Sequence, residues 1–88
     1  MSFSVFFSRR AEKELKALEK RIAKRCLERI KALSENPAPK GAIKLKGLEN
    51  VFRIRIGKYR IVYKVFFEKR LILIVRIGKR ESVYEGIA

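Results

Sequence analysis

Between Ala11 and Leu33 the apolar residues fall at intervals of three and four: Ala11, Leu15, Leu18, Ile22, Cys26, Ile30 and Leu33. That spacing draws one continuous stripe along an α-helical surface. Ser8 stands just ahead of it, where an N-cap belongs. Asn36-Pro37 closes it, because a residue followed by proline is pushed out of the α region. Before the stripe, Ser2–Phe7 (SFSVFF) is short, aromatic and β-branched, and predicts a strand. After it, Pro37–Gly47 predicts a connecting loop with a brief extended piece at Ile43–Lys46.

From Val51 the period changes to two. Phe52, Ile54 and Ile56 point one way and Arg53 and Arg55 the other. Gly57-Lys58 fits a two-residue hairpin with glycine at its first position. The next strand, Tyr59–Phe67, puts Tyr59, Ile61, Tyr63, Val65 and Phe67 on the apolar face. Glu68-Lys69-Arg70 then turns the chain into a third strand, Leu71–Gly78, with Leu71, Leu73, Val75 and Ile77 on one side. The expected fold class is α+β: an N-terminal strand, a helical segment within residues 8–36, then a three-stranded antiparallel meander with helix packed on one sheet face. Phe3, Phe7, Phe52 and Phe67 read as core residues, and Tyr59 and Tyr63 as core-facing with hydroxyls near an edge.

At 88 residues the chain is one domain, residues 1–88, and nearly half its residues are apolar, enough for a core without covalent staples. The single cysteine, Cys26, cannot form an internal disulfide and lies on the apolar stripe, so it reads as a small buried hydrophobe. Residues 1–8 lack the form of a signal peptide, and the longest aliphatic run, Leu71–Val75, is too short to cross a bilayer. A cytoplasmic protein with no membrane partner is expected. Charge changes the picture most. Twenty-three Lys and Arg face nine Glu, with no Asp, for a net charge of +14. Such an excess repels itself and calls for a polyanionic partner. The absence of Gln and Thr, with only two Asn, points to a thermophilic source.

The missing residue types exclude chemistries. Without His or Asp, and with a lone Cys, neither a zinc site nor a Ser-His-Asp triad can be built, and the scattered Glu do not suit a hard cation. No metal and no cofactor are expected. Catalysis is left to Arg, Lys, Tyr, Glu or backbone groups.

Register places the candidates. A Gly57-Lys58 loop sets Ile56 opposite Tyr59 and Arg55 opposite Arg60. A Glu68–Arg70 loop sets Phe67 opposite Leu71, Val62 opposite Arg76 and Arg60 opposite Gly78, with Arg80 just beyond. Arg53, Arg55, Arg60, Arg76 and Arg80 then gather on the side away from the apolar face. Like charges directly opposed destabilise a sheet, so their gathering argues for a bound anion. The helical basic residues Arg9, Arg10, Lys13, Lys16, Lys20, Lys24 and Lys31 read as a solvated face, with Glu12–Lys16 an ordinary i,i+4 pair.

Lys44-Leu45-Lys46-Gly47, Phe52-Arg53-Ile54-Arg55-Ile56, Gly57-Lys58-Tyr59-Arg60-Ile61-Val62-Tyr63, Gly78-Lys79-Arg80-Glu81 and Val83-Tyr84 resemble, in order, the RelE family of toxins. Strand-then-helix at the start agrees, so the resemblance covers essentially the whole chain. It implies a single RelE-like toxin domain, a source among archaea or thermophiles, and a helical hairpin broken near Leu18–Lys20, which periodicity does not show. It implies a ribosome-dependent endoribonuclease that cuts mRNA in the A site by attack of the 2′-oxygen, without metal, neutralised by an acidic RelB-like antitoxin. Carried over residue by residue, it puts Arg53 and Arg55 at the two basic positions of the first meander strand. Arg60 matches the arginine that holds the reacting phosphate, Arg80 the one beside the leaving oxygen, and Tyr84 the tyrosine that orients the substrate. Lys44, Lys46, Lys58, Arg76 and Lys79 flank them as RNA-binding residues. Family members often carry lysine where this chain has Arg53 and Arg55. A desolvated lysine can lose its proton and arginine cannot, so the general base is open among Tyr84, Lys58 and Lys79. Two other functions fit the same charge: a ParE-like toxin that poisons a topoisomerase, and a non-catalytic RNA-binding module.

Overall fold

The computed structural model describes residues 2–79 and 81–84. Strand β1 (Ser4–Phe7) leads into helices α1 (Arg9–Lys16) and α2 (Lys20–Leu33). Strands β2 (Ile43–Lys44), β3 (Val51–Ile56), β4 (Tyr59–Phe66) and β5 (Leu71–Gly78) follow, and a 3₁₀ turn spans Glu81–Tyr84. The strands form one sheet in the order β1-β5-β4-β3-β2. The three-stranded meander is therefore the centre of a wider sheet. The extended piece after the loop shortens to two residues and adds an antiparallel edge, Ile43 opposite Arg53 and Lys44 opposite Phe52. The N-terminal strand runs parallel to β5, with Ser4 opposite Leu71 and Phe7 opposite Ile74.

Ser8 joins the first strand to the first helix, as its position predicts. Its Oγ accepts the Ala11 N–H at 3.0 Å, capping α1, and donates to the Val75 carbonyl at 2.8 Å. The continuous stripe is interrupted after all: α1 ends at Lys16 with Ala17 as its C-cap, and Glu19 is extended (φ −57°, ψ 147°) before α2 begins. Neither glycine nor proline marks the break. Leu15, Leu18 and Ile22 all pack on the same core, so the short connection keeps the apolar phase and leaves no gap in the pattern.

The helices cover one sheet face. Ala11, Cys26, Ile30 and Leu33 meet Ile54, Ile56, Ile61, Tyr63, Val65, Ile72, Ile74 and Ile77 in one buried cluster. The Tyr63 ring stacks on Phe52 at 5.7 Å, and its hydroxyl donates to the Pro37 carbonyl at 2.7 Å.

Two readings of β5 are corrected. The β4–β5 turn takes four residues, Phe67–Arg70, so Phe66 rather than Phe67 lies opposite Leu71. Phe67 is exposed and meets Phe3 edge-on instead of joining the core. Between Ile74 and Arg76 a β-bulge leaves Val75 without a partner in β4. An extra residue reverses the alternation beyond it, so the core face reads Ile72, Ile74 and then Ile77. The predicted pairings near the other end hold, because the bulge cancels the one-residue slip: Val62 faces Arg76 and Arg60 faces Gly78.

Candidate functional site

On the face away from the helices, β3 and β4 supply the charge. Arg55 lies directly opposite Arg60, and Arg53 opposite Val62. Opposed residues in an antiparallel ladder have Cα atoms about 4.5–5.5 Å apart, so the Arg55 and Arg60 side chains start as close neighbours. Among the described residues no carboxylate pairs with Arg53, Arg55 or Arg60; the two ion pairs there are Lys16–Glu12 and Arg76–Glu14. Arg60 is oriented by its own chain, Nη1 donating to the Lys79 carbonyl at 3.1 Å. Repulsion across the ladder is left for an external anion to relieve.

Tyr84 reaches this face by a separate route. Val83 is buried with Val51 and Val62 in a small second cluster, and Leu45, Leu48 and Tyr84 pack around it. Val62 is the cross-strand partner of Arg53 and neighbours Arg60 one pleat along β4. The 3₁₀ turn thus brings the half-buried Tyr84 ring to the arginine-bearing side.

The remaining expected residues divide. Arg76 is buried, and its guanidinium grips Glu14 of α1 through Nε at 3.2 Å and Nη2 at 3.1 Å to Oε2. Glu14 Oε1 also accepts the Ile77 N–H at 2.9 Å. Arg76 therefore joins a structural clamp, its charge answered within the chain. Glu14 escaped the sequence reading, although it sits on the shoulder of the stripe, three residues after Ala11. Lys44 pairs with Phe52 on the helix side of the sheet, so Ile43 and not Lys44 lies beside Arg53. Lys46 and Lys58 are exposed, in the loop before β3 and in the β3–β4 turn. The Lys79 ammonium lies 5.6 Å from the centre of the Tyr59 ring. Arg80 lies outside the described residues.

Two other reactive groups are withdrawn from chemistry by burial. Desolvation pushes the Tyr63 phenol up to about 12. It also raises the Cys26 thiol, with Arg25 pulling weakly the other way. Among the described residues no three His, Cys, Asp or Glu side chains group as metal ligands. A hollow of about 510 Å³ lies at the far end of β4, lined by Glu49, Asn50 and Lys64–Lys69. It is separate from Arg55 and Arg60, and its mixed charge suits it less to a polyanion. Among the described residues no helix is long and apolar enough to cross a membrane.

The model of the family "ParE toxin of type II toxin-antitoxin system, parDE" matches residues 5–84. The protein named "Putative toxin RelE1" of Methanocaldococcus jannaschii is 40% identical over 89 residues, covering 98% of this chain and 99% of that one. The mRNA interferase toxin RelE of Escherichia coli K12 is 30% identical over 83 residues, covering 92% and 86%. Among solved structures, the archaeal RelE–RelB complex of Pyrococcus horikoshii OT3 matches with a TM-score of 0.81 at 30% identity, over 92% of this chain and 98% of that one.

Proposed function

The chain belongs to the RelE/ParE family of toxins, and from that premise we propose that it is a single-domain cytoplasmic endoribonuclease that cuts mRNA in the ribosomal A site. The observation that carries this reading is the cluster on the face away from the helices: Arg53, Arg55 and Arg60 without described carboxylate partners, and Tyr84 packed on the valine cluster of the same face. The mRNA interferase name of the Escherichia coli relative supports the substrate.

The reaction is transesterification. The 2′-oxygen attacks the adjacent phosphorus, the bond from phosphorus to the 5′-oxygen breaks, and the products are a 2′,3′-cyclic phosphate and a free 5′-hydroxyl. A proton leaves the 2′-hydroxyl and one is delivered to the departing oxygen. Negative charge grows on the phosphoryl oxygens, where preset guanidinium groups stabilise it. Arg60, oriented by the Lys79 carbonyl, grips the phosphate. Arg53 and Arg55 extend the cationic surface, and Arg80 serves the leaving oxygen. Tyr84 orients the nucleotide and stands first as general base, ahead of Lys58 and Lys79. The scarcity of metal-ligating side chains supports a metal-independent route. Weak acid–base groups place much of the burden on in-line geometry, which the ribosome supplies. Exposed Lys46, Lys58 and Lys79 add contacts to RNA. An acidic RelB-like antitoxin is the cognate partner, as supported by the RelE–RelB complex.

The test is toeprinting on programmed ribosomes. New 3′ ends within the A-site codon appear with the wild type and vanish with Arg60→Ala, whose thermal stability stays close to wild type. Unchanged cleavage by Arg60→Ala would remove its assignment. The family model that matches is that of ParE, so a supercoiling assay runs alongside. Topoisomerase inhibition without RNA cleavage would establish that function instead.

A further inference from the structure

Gly78 is out of place by ordinary rules. Glycine weakens a strand interior or end by chain entropy and by leaving nothing to pack. Gly41, Gly47 and Gly57 each have a positive φ that favours glycine, but Gly78 does not. What Gly78 supplies is room. A Cβ built on it would lie 2.7 Å from Val83 Cγ1, closer than two carbon atoms tolerate. Val83 is 1% exposed, so it has no space to retreat into. Its β-branched side chain is also stiff at χ1, and a rotamer change is not an easy escape.

The position matters as much as the space. Gly78 is the cross-strand partner of Arg60. The next residue, Lys79, offers the carbonyl that holds the Arg60 guanidinium. Val83 enters between Gly78 and the valines Val51 and Val62, and Tyr84 follows it directly. We propose that Gly78 and Val83 form a lock and key that seats Tyr84 beside Arg60: they are positioning residues, acting through Tyr84. The inference deepens the ribonuclease reading and rests on it only for its effect on cleavage.

Gly78→Ala blocks the seat, Val83→Ala cuts the key, and the double variant removes the clash between them. The three tyrosines, labelled as 3-fluorotyrosine and assigned by Tyr→Phe variants, give separate ¹⁹F resonances. In Gly78→Ala the Tyr84 resonance shifts while that of buried Tyr63 stays, which reports an intact core. Single-turnover cleavage at saturating ribosomes falls by about tenfold or more, since small misplacements of a reacting group are that costly. Apparent affinity for programmed ribosomes changes by less than about twofold, as for a loss confined to the transition state. The double variant cleaves no worse than Val83→Ala alone, because the two residues act as one unit. If Gly78→Ala disrupts the strand, so that the Tyr63 resonance moves as well, Val83→Ala decides alone, since it only removes two methyl groups. An unmoved Tyr84 resonance in Val83→Ala, or losses that multiply in the double variant, would overturn the lock. Should Tyr84→Phe cleave normally, the catalytic role of Tyr84 fails while the ¹⁹F measurement still judges the seating.

Discussion

Replacing Glu14 by alanine should destabilise the protein far more than loss of one helix-surface carboxylate normally does. The carboxylate holds two charge-assisted bonds to Arg76, whose side chain is 7% exposed, and it also satisfies the Ile77 N–H. Breaking a buried pair by removing one partner costs about 3–5 kcal/mol. Glu14 is 23% exposed, so water can enter and lower that figure, to about 2–4 kcal/mol. In a domain of this size each kcal/mol moves the midpoint by about 4–8 °C, which gives a fall of about 8–32 °C. Glu14→Gln keeps an acceptor for the Ile77 N–H and should lose about half as much, because the neutral amide forfeits the charge. Glu14→Leu with Arg76→Met leaves no buried charge unpaired and should recover part of the loss, the remainder reflecting the Ile77 N–H left without its acceptor. Urea titration and thermal melts at neutral pH on the four proteins provide the measurement. A fall below about 4 °C for Glu14→Ala would put the clamp among ordinary surface pairs and refute a buried, charge-assisted contribution.

Tyr63 makes stability depend on pH at the alkaline end. Its phenol is raised to about 12 by burial, so the stability it confers is complete below about 10, the unfolded value, and is lost as pH rises towards 12. The loss is at most about 1.4 kcal/mol per unit, and urea midpoints compared with Tyr63→Phe between pH 9 and 11.5 should show the steeper decline only with tyrosine. Ser8→Ala removes the α1 cap and the bond to the bulge carbonyl and should cost about 1–2 kcal/mol by chemical denaturation; an unchanged midpoint would mean that water replaces both. Cys26, buried with a raised thiol, should resist iodoacetamide in the native protein and react once it is unfolded, a contrast readable by mass spectrometry.

The arginine cluster was legible because a two-residue hairpin leaves little freedom: with Gly57-Lys58 as the turn, Arg55 must meet Arg60. Arg53 follows from the same alternation. The other end of β4 was misread because nothing in the residues around Val75 announces a bulge, and the extra residue turns two alternating sets of aliphatics into one core face. The helix break at Ala17–Glu19 was hidden by an apolar phase that survives it, and came only from family resemblance. Glu14 and Arg76 are 62 residues apart, and no local pattern links a carboxylate on a stripe's shoulder to an arginine in a strand. Partner choice across such a distance is decided by packing. The parallel docking of β1 was likewise beyond periodicity, which says that a strand exists but not where it goes.

That docking has a consequence for the order of events as the chain is made. β1 is synthesised first, yet its neighbour is β5, synthesised nearly last, and the Ser8 hydroxyl waits for a carbonyl 67 residues downstream. Contacts so remote in sequence form late and slowly. Until the final strand emerges, the arginine strands have no completed sheet behind them and the Val83 key has no seat. The face that carries Arg55 and Arg60 is thus completed only after β5 has been made and paired with β4 and β1.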